Sequence, residues 1–522
     1  MIHGKGERCS MQRKVLSGVV ALVVVLSMVG MALAAQPGFI PPPDSWDETY
    51  EVVVVGGGFA GLSAAYFAKK AGADVVLIEK MPFVGGNSII NGGIYAAYTS
   101  KLQLAEKQGE SDSPEQHIAD TIAGGDFMGD PALVENLVYG SPIILDLLLD
   151  NGLQVRPVVA RVGGHSCFRT YTTINQTGAD IVAVQKKMVD EAGVPVFLNT
   201  KMNYIYREKP MEGRVLGIRV ETAQGERNIR ATKGVVLTTG GFANNKEMVK
   251  VQAPWISDDV GCTNHVGATG EGLILAKQLG ANTLHECYVQ LYPFADPDTG
   301  ILDAAAVVPC NGPGFGMVYV NSEGKRYVDE GERRDVNSMA ALNSGGFPTF
   351  SIFSDEMVDL CSTREDIEKF IKQGRCLVAD TLEELVEKIN ARTYRGQKVN
   401  MPVENFIATI RQHNEYIEQG VDPDFGKKIE PNLAKKIEVG PFYAIPQWPS
   451  VHHTMGGVKI TPRTEVEDIW GNVIPGLFAA GEVTGGVHGT NRLGSNAIPD
   501  CAVHGMIAGT MAATGQPPVL KK

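Results

Sequence analysis

Gly56, Gly58 and Gly61 stand in GxGxxG spacing directly after the β-branched run Glu51–Val55. That order is what a pyrophosphate site needs. Gly56 makes the tight turn, Gly58 lets the backbone approach a phosphate, and Gly61 lets helix and strand pack closely. The helix N-terminus, which carries Ala60, faces the phosphate charge. Glu79 ends the next apolar run 18 residues after Gly61 and is followed by Lys80. A carboxylate there can accept hydrogen bonds from both hydroxyls of a ribose. A second glycine-dense stretch, GGNSIINGG, runs from Gly85 to Gly93. Glycine at that density lets the main chain crowd a planar ring along Gly92 and Gly93, while Asn87 and Ser88 offer hydrogen bonds to its polar edge. Following a dinucleotide unit, it points to FAD rather than NAD. Near the C-terminus stand HHTMGG from His452 and GEVTGGVHGTNRLGSNA from Gly481 to Ala497.

The elements that must position these residues are legible in outline. Glu51–Val55, a helical stretch over Leu62–Ala71 and a buried strand over Asp74–Ile78 make a βαβ unit of about 30 residues. Val235–Thr239 reads as another buried strand, and Glu271–Leu279 as a helix. Residues 286–449 differ in style. They hold a helix over 381–391 with the capping box Thr381-x-x-Glu384, and one near 403–419 stopped by Gly420. After 450 the strand-turn-helix style returns. The expectation is an α/β fold. A Rossmann-type FAD-binding domain, residues 50–285 and 450–522, is interrupted by an inserted α+β capping domain, residues 286–449. A proline-rich linker, 35–49, precedes it.

Composition agrees with a multi-domain enzyme. The chain has 522 residues with 60 glycines, about 11% against a usual ~7%. Charged residues are 20%, aromatics 7% and mean hydropathy −0.04, which excludes a disordered chain, a disulfide mini-protein and a polytopic membrane protein. A net charge of −12 argues against broad nucleic-acid binding. The cysteines Cys167, Cys262, Cys287, Cys310, Cys361, Cys376 and Cys501 are spread out, with no CxxC, haem-attachment or metal-type spacing. They read as small buried hydrophobes, with one disulfide allowed. A redox cofactor must therefore be held without cysteine ligation, and no metal site is expected.

The two C-terminal signatures, with the glycine motifs, resemble the flavoprotein of the fumarate reductase/succinate dehydrogenase family. The likeness is closest to its soluble exported branch of flavocytochrome c fumarate reductases and urocanate reductases, here without a haem domain, and covers roughly residues 49–515. The resemblance implies FAD held through Glu482 and Glu271, with the helix beginning at Asn496, Ala497 and Ile498 aimed at the flavin. It implies that His452 and Arg492 grip a substrate carboxylate and that Arg334 protonates one alkene carbon after hydride arrives from flavin N5. Tyr292 and Ser495 would bind substrate. The family's flavin-attaching histidine is replaced by Gly86, which implies non-covalent FAD. His453 and His488 read as structural, and His165, after Gly163-Gly164, stands where it could reach the flavin.

Departures from the family bear on substrate. Tyr292-Pro293 stands where fumarate reductases carry His-Pro, Pro309-Cys310 where they carry Thr-Glu, and Pro313 in the slot of a relay arginine. The grip on a second carboxylate is absent or rebuilt, which argues against fumarate. The phenol of Tyr292 is expected to stack on or hydrogen-bond to an uncharged group. The expected activity is reduction of the C=C bond of a small unsaturated carboxylic acid, with electrons from a separate cytochrome or flavin carrier. Two alternatives keep the fold: a ketosteroid-type dehydrogenase, which needs a base and phenol pair, and a non-catalytic electron-transfer flavoprotein.

The first 34 residues read as a secretory signal peptide. Lys5, Arg8, Arg13 and Lys14 precede an apolar run from Val15 that ends in Ala32-Leu33-Ala34, a signal-peptidase pattern. The segment carries a net +3, so its removal takes the chain from −12 to −15. The expected location is periplasmic or extracytoplasmic. An uncleaved membrane anchor is the alternative, since about 20 apolar residues span a bilayer. N-terminal sequencing of the native protein should find a new terminus near Ala35; an intact Met1 or Met11 in a membrane fraction would mean an anchor.

Overall fold

The computed structural model describes residues 39–521. The segment read as a signal peptide and the start of the linker lie outside the described residues. In chain order, the elements that build the site begin with strand β1 (Glu48–Val55), helix α1 (Phe59–Lys70), strand β2 (Val75–Ile78) and strand β3 (Gly225–Leu237). Next come strand β4 (Val289–Ala295), helix α2 (Arg334–Leu342) and strand β5 (Thr349–Ser354). Strand β6 (Phe442–Thr454), strand β7 (Val473–Ala479) and helix α3 (Ala497–Thr514) complete them.

An eight-stranded sheet carries the nucleotide-binding half. β1 lies between β2 and β3, parallel to both, with Val53 opposite Val76 on one side and Val235 on the other. β7 continues the parallel order, Leu477 facing Val235. Val52–Val55 and Val75–Ile78 are buried throughout, as expected of parallel strands covered on both faces. One cover is the α1–α3 pair. The two helices approach so closely that a side-chain carbon on Gly505 would lie 2.3 Å from the Ala60 carbonyl oxygen. The fold is α/β, as its sequence pattern implied.

A six-stranded sheet organises the middle of the chain around β6. β4 and β5 flank it antiparallel, and Gly261–Cys262 pairs with it in parallel. The junction expected between 449 and 450 falls inside this continuous strand. Its first half belongs to the inserted segment and its last residues carry His452 and His453. The helices foreseen there form as Leu382–Asn390, where Thr381 Oγ1 accepts from the Glu384 N–H at 3.2 Å, and as Val403–Gln419, ended by Gly420 at φ 71°. A buried charge cluster ties the segment together. Glu330 pairs with Arg326 and Lys427, and Arg326 also reaches Asp422. Burial would push the Glu330 carboxyl up, but Lys427 and Arg326 hold it at about 2.

Candidate active site

The β1–α1 turn, the Gly85–Gly92 stretch, β6 and the start of α3 enclose a cavity of about 1320 Å³, its mouth included. α1 opens on it with no side-chain cap and no acid in its first turn, so its positive end is available to an anion. Gly61 does not line the cavity. A side-chain carbon there would sit 1.8 Å from the Gly56 carbonyl oxygen, so its part is helix–strand packing. Glu79 is on the wall and accepts from the Gly57 N–H at 2.7 Å and the Met81 N–H at 2.9 Å. Ser88 Oγ accepts from the Phe59 N–H at 3.0 Å.

α3 points a second uncapped N-terminus at the same space, with Ala497 and Ile498 on the wall. Asn496 does not line it, because its amide is held in the core by His117 and Thr121, both at 3.0 Å. Glu482 is on the wall, accepting from the Thr454 N–H at 3.0 Å and hydroxyl at 3.2 Å, and burial raises its pKa. The Thr239 hydroxyl oxygen, on a wall residue, is buried with no partner. Two open helix ends, a held carboxylate and an orphan hydroxyl around one cavity fit FAD.

The other part of the wall is cationic. Arg334, the first residue of α2, is 6% exposed, and Arg492, in the loop before α3, is 3% exposed. Neither is ion-paired among the described residues. Arg334 Nε and Nη1 and Arg492 Nε have no partner. Arg334 Nη2 meets Cys310 Sγ at 3.8 Å, and Arg492 Nη1 donates to the Leu493 carbonyl at 3.2 Å. Burial first, then the Arg334 charge, hold Arg492 well below the ordinary arginine range. Enclosure and the same two charges keep His452 neutral, and its Nδ1 hydrogen-bonds Thr263 Oγ1 at 2.7 Å. Buried charge without a counter-ion is costly. Two guanidiniums and a neutral imidazole facing one cavity make a receptor for an anion.

Tyr292 lines this region but differs from its expected use. Its hydroxyl donates to the Ala306 carbonyl at 2.7 Å, and its ring lies 4.9 Å from the His452 ring and 4.8 Å from the Arg334 guanidinium. The phenol is a platform for the cation, with no proton free for substrate. Ser495 is on the wall in the left-handed region, φ 64°, a conformation kept by surrounding restraint. Its hydroxyl meets Thr170 Oγ1 at 2.8 Å. Behind it His165 Nε2 donates to the Gly494 carbonyl at 2.7 Å. Arg169, paired with Asp112 and Asp120, donates to His165 Nδ1 and sets that tautomer.

Gly56, Gly58, Ala60, Lys80, Asn87 and Gly92 are on the wall. Gly93 and Glu271 are not. Gly93 packs on Thr173 and Thr177. Glu271 pairs with Lys80 and, at 3.0 Å, with Lys201, which hold its carboxyl at about 2 against burial. Asn87 commits its amide to Asn264 and the His265 N–H, so it braces the wall. Thr263, Asn264, His265 and Cys501 line the cavity unforeseen. Thr263–His265 follow the two-residue strand paired with β6, and no local pattern marks that tertiary contact. The seven described cysteines are all free thiols, so the disulfide left open by the sequence is not formed.

A family model described as an FAD binding domain matches residues 51–498. The chain is 35% identical to the acrylate reductase flavoprotein subunit of Shewanella woodyi, over 89% of this chain and 91% of that one. It is 34% identical to the urocanate reductase of Eggerthella lenta, over 90% and 76%. A solved open conformation of a flavocytochrome c3 fumarate reductase is 35% identical, with a TM-score of 0.68, over 90% of this chain and 79% of that one. The match runs through the nucleotide cradle and both unpaired arginines. The chain belongs to the fumarate reductase/succinate dehydrogenase flavoprotein family and is an FAD-dependent oxidoreductase.

Proposed function

We propose that this protein reduces the C=C bond of a small unsaturated monocarboxylic acid. The single observation that carries the reading is the buried Arg334–Arg492 pair with no carboxylate partner. A substrate carboxylate supplies the missing charge. FAD, when bound non-covalently in the cradle, supplies the hydride from its N5. Arg492 and His452 hold the carboxylate, and Arg334 gives a proton to the other alkene carbon. Arginine is a weak acid, with a pKa above ~12. The developing carbanion is a far stronger base, and the fixed geometry removes the entropic cost of encounter. Enclosure by the inserted segment keeps water from competing. The ketosteroid-type alternative requires a free phenol, whereas the Tyr292 proton is committed to Ala306.

One carboxylate rather than two is the second part of the reading. Beside Tyr292 the wall is apolar, with Leu302 and Val307, and Pro309-Cys310 and Pro313 bring no further charge. The acids named by the acrylate and urocanate reductases among its relatives are both monocarboxylates. Electrons would come from a separate cytochrome or flavin carrier, and the enzyme is read as exported.

In steady-state kinetics with reduced viologen, the better of acrylate, urocanate and cinnamate should exceed fumarate in kcat/KM by about two orders of magnitude. Burying a second carboxylate without a partner costs several kcal/mol, and about 1.4 kcal/mol is already tenfold. Fumarate emerging as the best substrate would overturn the one-carboxylate pocket, and no turnover with any acid would favour the non-catalytic alternative.

Arg334→Ala should remove turnover while leaving FAD bound and releasable by acid or heat. A general acid contributes about 10²–10⁴ in rate. Retention of more than about a tenth of wild-type kcat would move the acid elsewhere, and flavin staying with the denatured chain would exclude non-covalent binding.

A further inference from the structure

Arg334 and Arg492 come from segments far apart in sequence. On the reading above, on which this inference rests, the chemistry depends on the gap between their guanidiniums. One side chain touches both segments. Asp126 lies in the loop between helix Pro114–Gly124 and helix Pro131–Asp150. One of its carboxylate oxygens accepts from Arg333 Nη1 at 2.5 Å and the other from Nη2 at 3.3 Å. Arg333 directly precedes Arg334 at the start of α2. The second oxygen also accepts from the Thr490 hydroxyl, two residues before Arg492. The neighbouring main chain makes the same join. The Thr490 N–H donates to the Gly125 carbonyl at 3.1 Å, and Asn491 Nδ2 to the Gly124 carbonyl at 3.0 Å. The loop is held in an unusual shape. Asp126 and Phe127 both take left-handed backbone, φ 53° and 58°, where residues other than glycine are uncommon. Such a conformation persists only when its surroundings fix it. The Arg333 bridge draws the Asp126 carboxyl below the ordinary aspartate range, so it is ionised at neutral pH. Arg333 also pairs with Asp335 of α2 at 2.6 Å. Of these two partners, Asp126 is the one that ties the inserted segment to the nucleotide-binding half.

We propose that Asp126 is a positioning residue that sets the separation of Arg334 and Arg492, through Arg333 on one side and Thr490 on the other. It is not on the cavity wall, so its effect reaches substrate only through those neighbours. Its side chain is half exposed, and an ion pair at such a place adds little to stability. Its role is geometric. Proton transfer to carbon needs Arg334 within reach while Arg492 holds the carboxylate, and a misplacement of about 1 Å can cost roughly 10²-fold in rate. Cutting the bridge therefore slows the chemistry and leaves fold and cofactor in place.

The test compares the two half-reactions in FAD-loaded wild type, Asp126→Asn, Arg333→Gln and the double variant. Asparagine tolerates left-handed backbone and can still accept from Thr490, so Asp126→Asn removes the charge alone. Each protein is reduced with dithionite and mixed with saturating acrylate, urocanate, cinnamate or fumarate in a stopped-flow instrument. Flavin reoxidation should be slower by about tenfold or more in each single variant. Flavin reduction by reduced viologen, which needs neither arginine, should stay within about twofold of wild type. The thermal midpoint should move by no more than about 2 °C. The double variant should be slowed by no more than about twofold beyond the slower single, because both changes cut one bridge. Unchanged reoxidation in the single variants would overturn the proposal, as would effects that multiply in the double or an equal slowing of flavin reduction. If no acid reoxidises the wild-type flavin, the reductase reading fails and the inference falls with it. A working wild type beside unaffected variants sinks the inference alone.

Discussion

The constraint on which the rest of the site depends is a pair of buried guanidiniums left without a counter-ion. Elsewhere among the described residues the buried arginines find acceptors, Arg326 Nη1 excepted. Arg169 pairs with Asp112 and Asp120, Arg326 with Glu330 and Asp422, and Arg375 with Asp296 and Asp303. Arg156 and Arg207 donate to main-chain carbonyls. Among the described residues, Arg334 and Arg492 are the buried arginines on the cavity wall, and neither has an ion pair. Breaking a buried pair by removing one partner typically costs about 3–5 kcal/mol; leaving Arg492 without an ion pair costs in the same direction, offset in part by the nearby Glu482 carboxylate.

Holding that charge in place takes elements from distant parts of the sequence. β6 brings His452 beside Thr263 and Tyr292, and the turn into α2 delivers Arg334. Gln290 Nε2 donates to the Arg492 carbonyl at 2.7 Å, and the Arg169–His165 chain clamps Gly494. The Tyr292 ring offers one guanidinium a π face, worth about 2 kcal/mol when desolvated, which offsets part of the cost without supplying negative charge. On the proposed reading, FAD and substrate would be separated by kind of recognition: open helix ends and main chain for the cofactor, guanidinium and imidazole for the acid.

Much of this was legible in the sequence where the signal is local. The βαβ unit, the Thr381 cap and the Gly420 stop each depend on residues within a few positions, and each forms within three residues of its expected bounds. The resemblance brought Arg334, His452 and Arg492 to one cavity. Less legible were features decided by partners far away. Glu271 lies off the wall because Lys80 and Lys201 claim it, Tyr292 loses its hydroxyl to Ala306, and Asn87 is shared among residues 264–265 and Glu482. Thr263 joins the wall through a two-residue strand that no periodicity reveals. β6 crosses the expected domain junction because an apolar strand carries no mark of which sheet neighbour it serves.

On the proposed reading, Arg492 is a cost to the fold that a carboxylate relieves. Denaturant unfolding of the holoprotein and of Arg492→Met, each with and without propionate as a non-reducible probe, tests it directly. Without propionate, the methionine variant should unfold at a midpoint equal to or above that of wild type, since an unpaired buried charge has been replaced by an apolar chain of similar length. Propionate at a hundredfold its Kd should stabilise wild type by about 2.7 kcal/mol and leave the variant unchanged. A variant clearly less stable than wild type, yet still stabilised by propionate, would contradict the account.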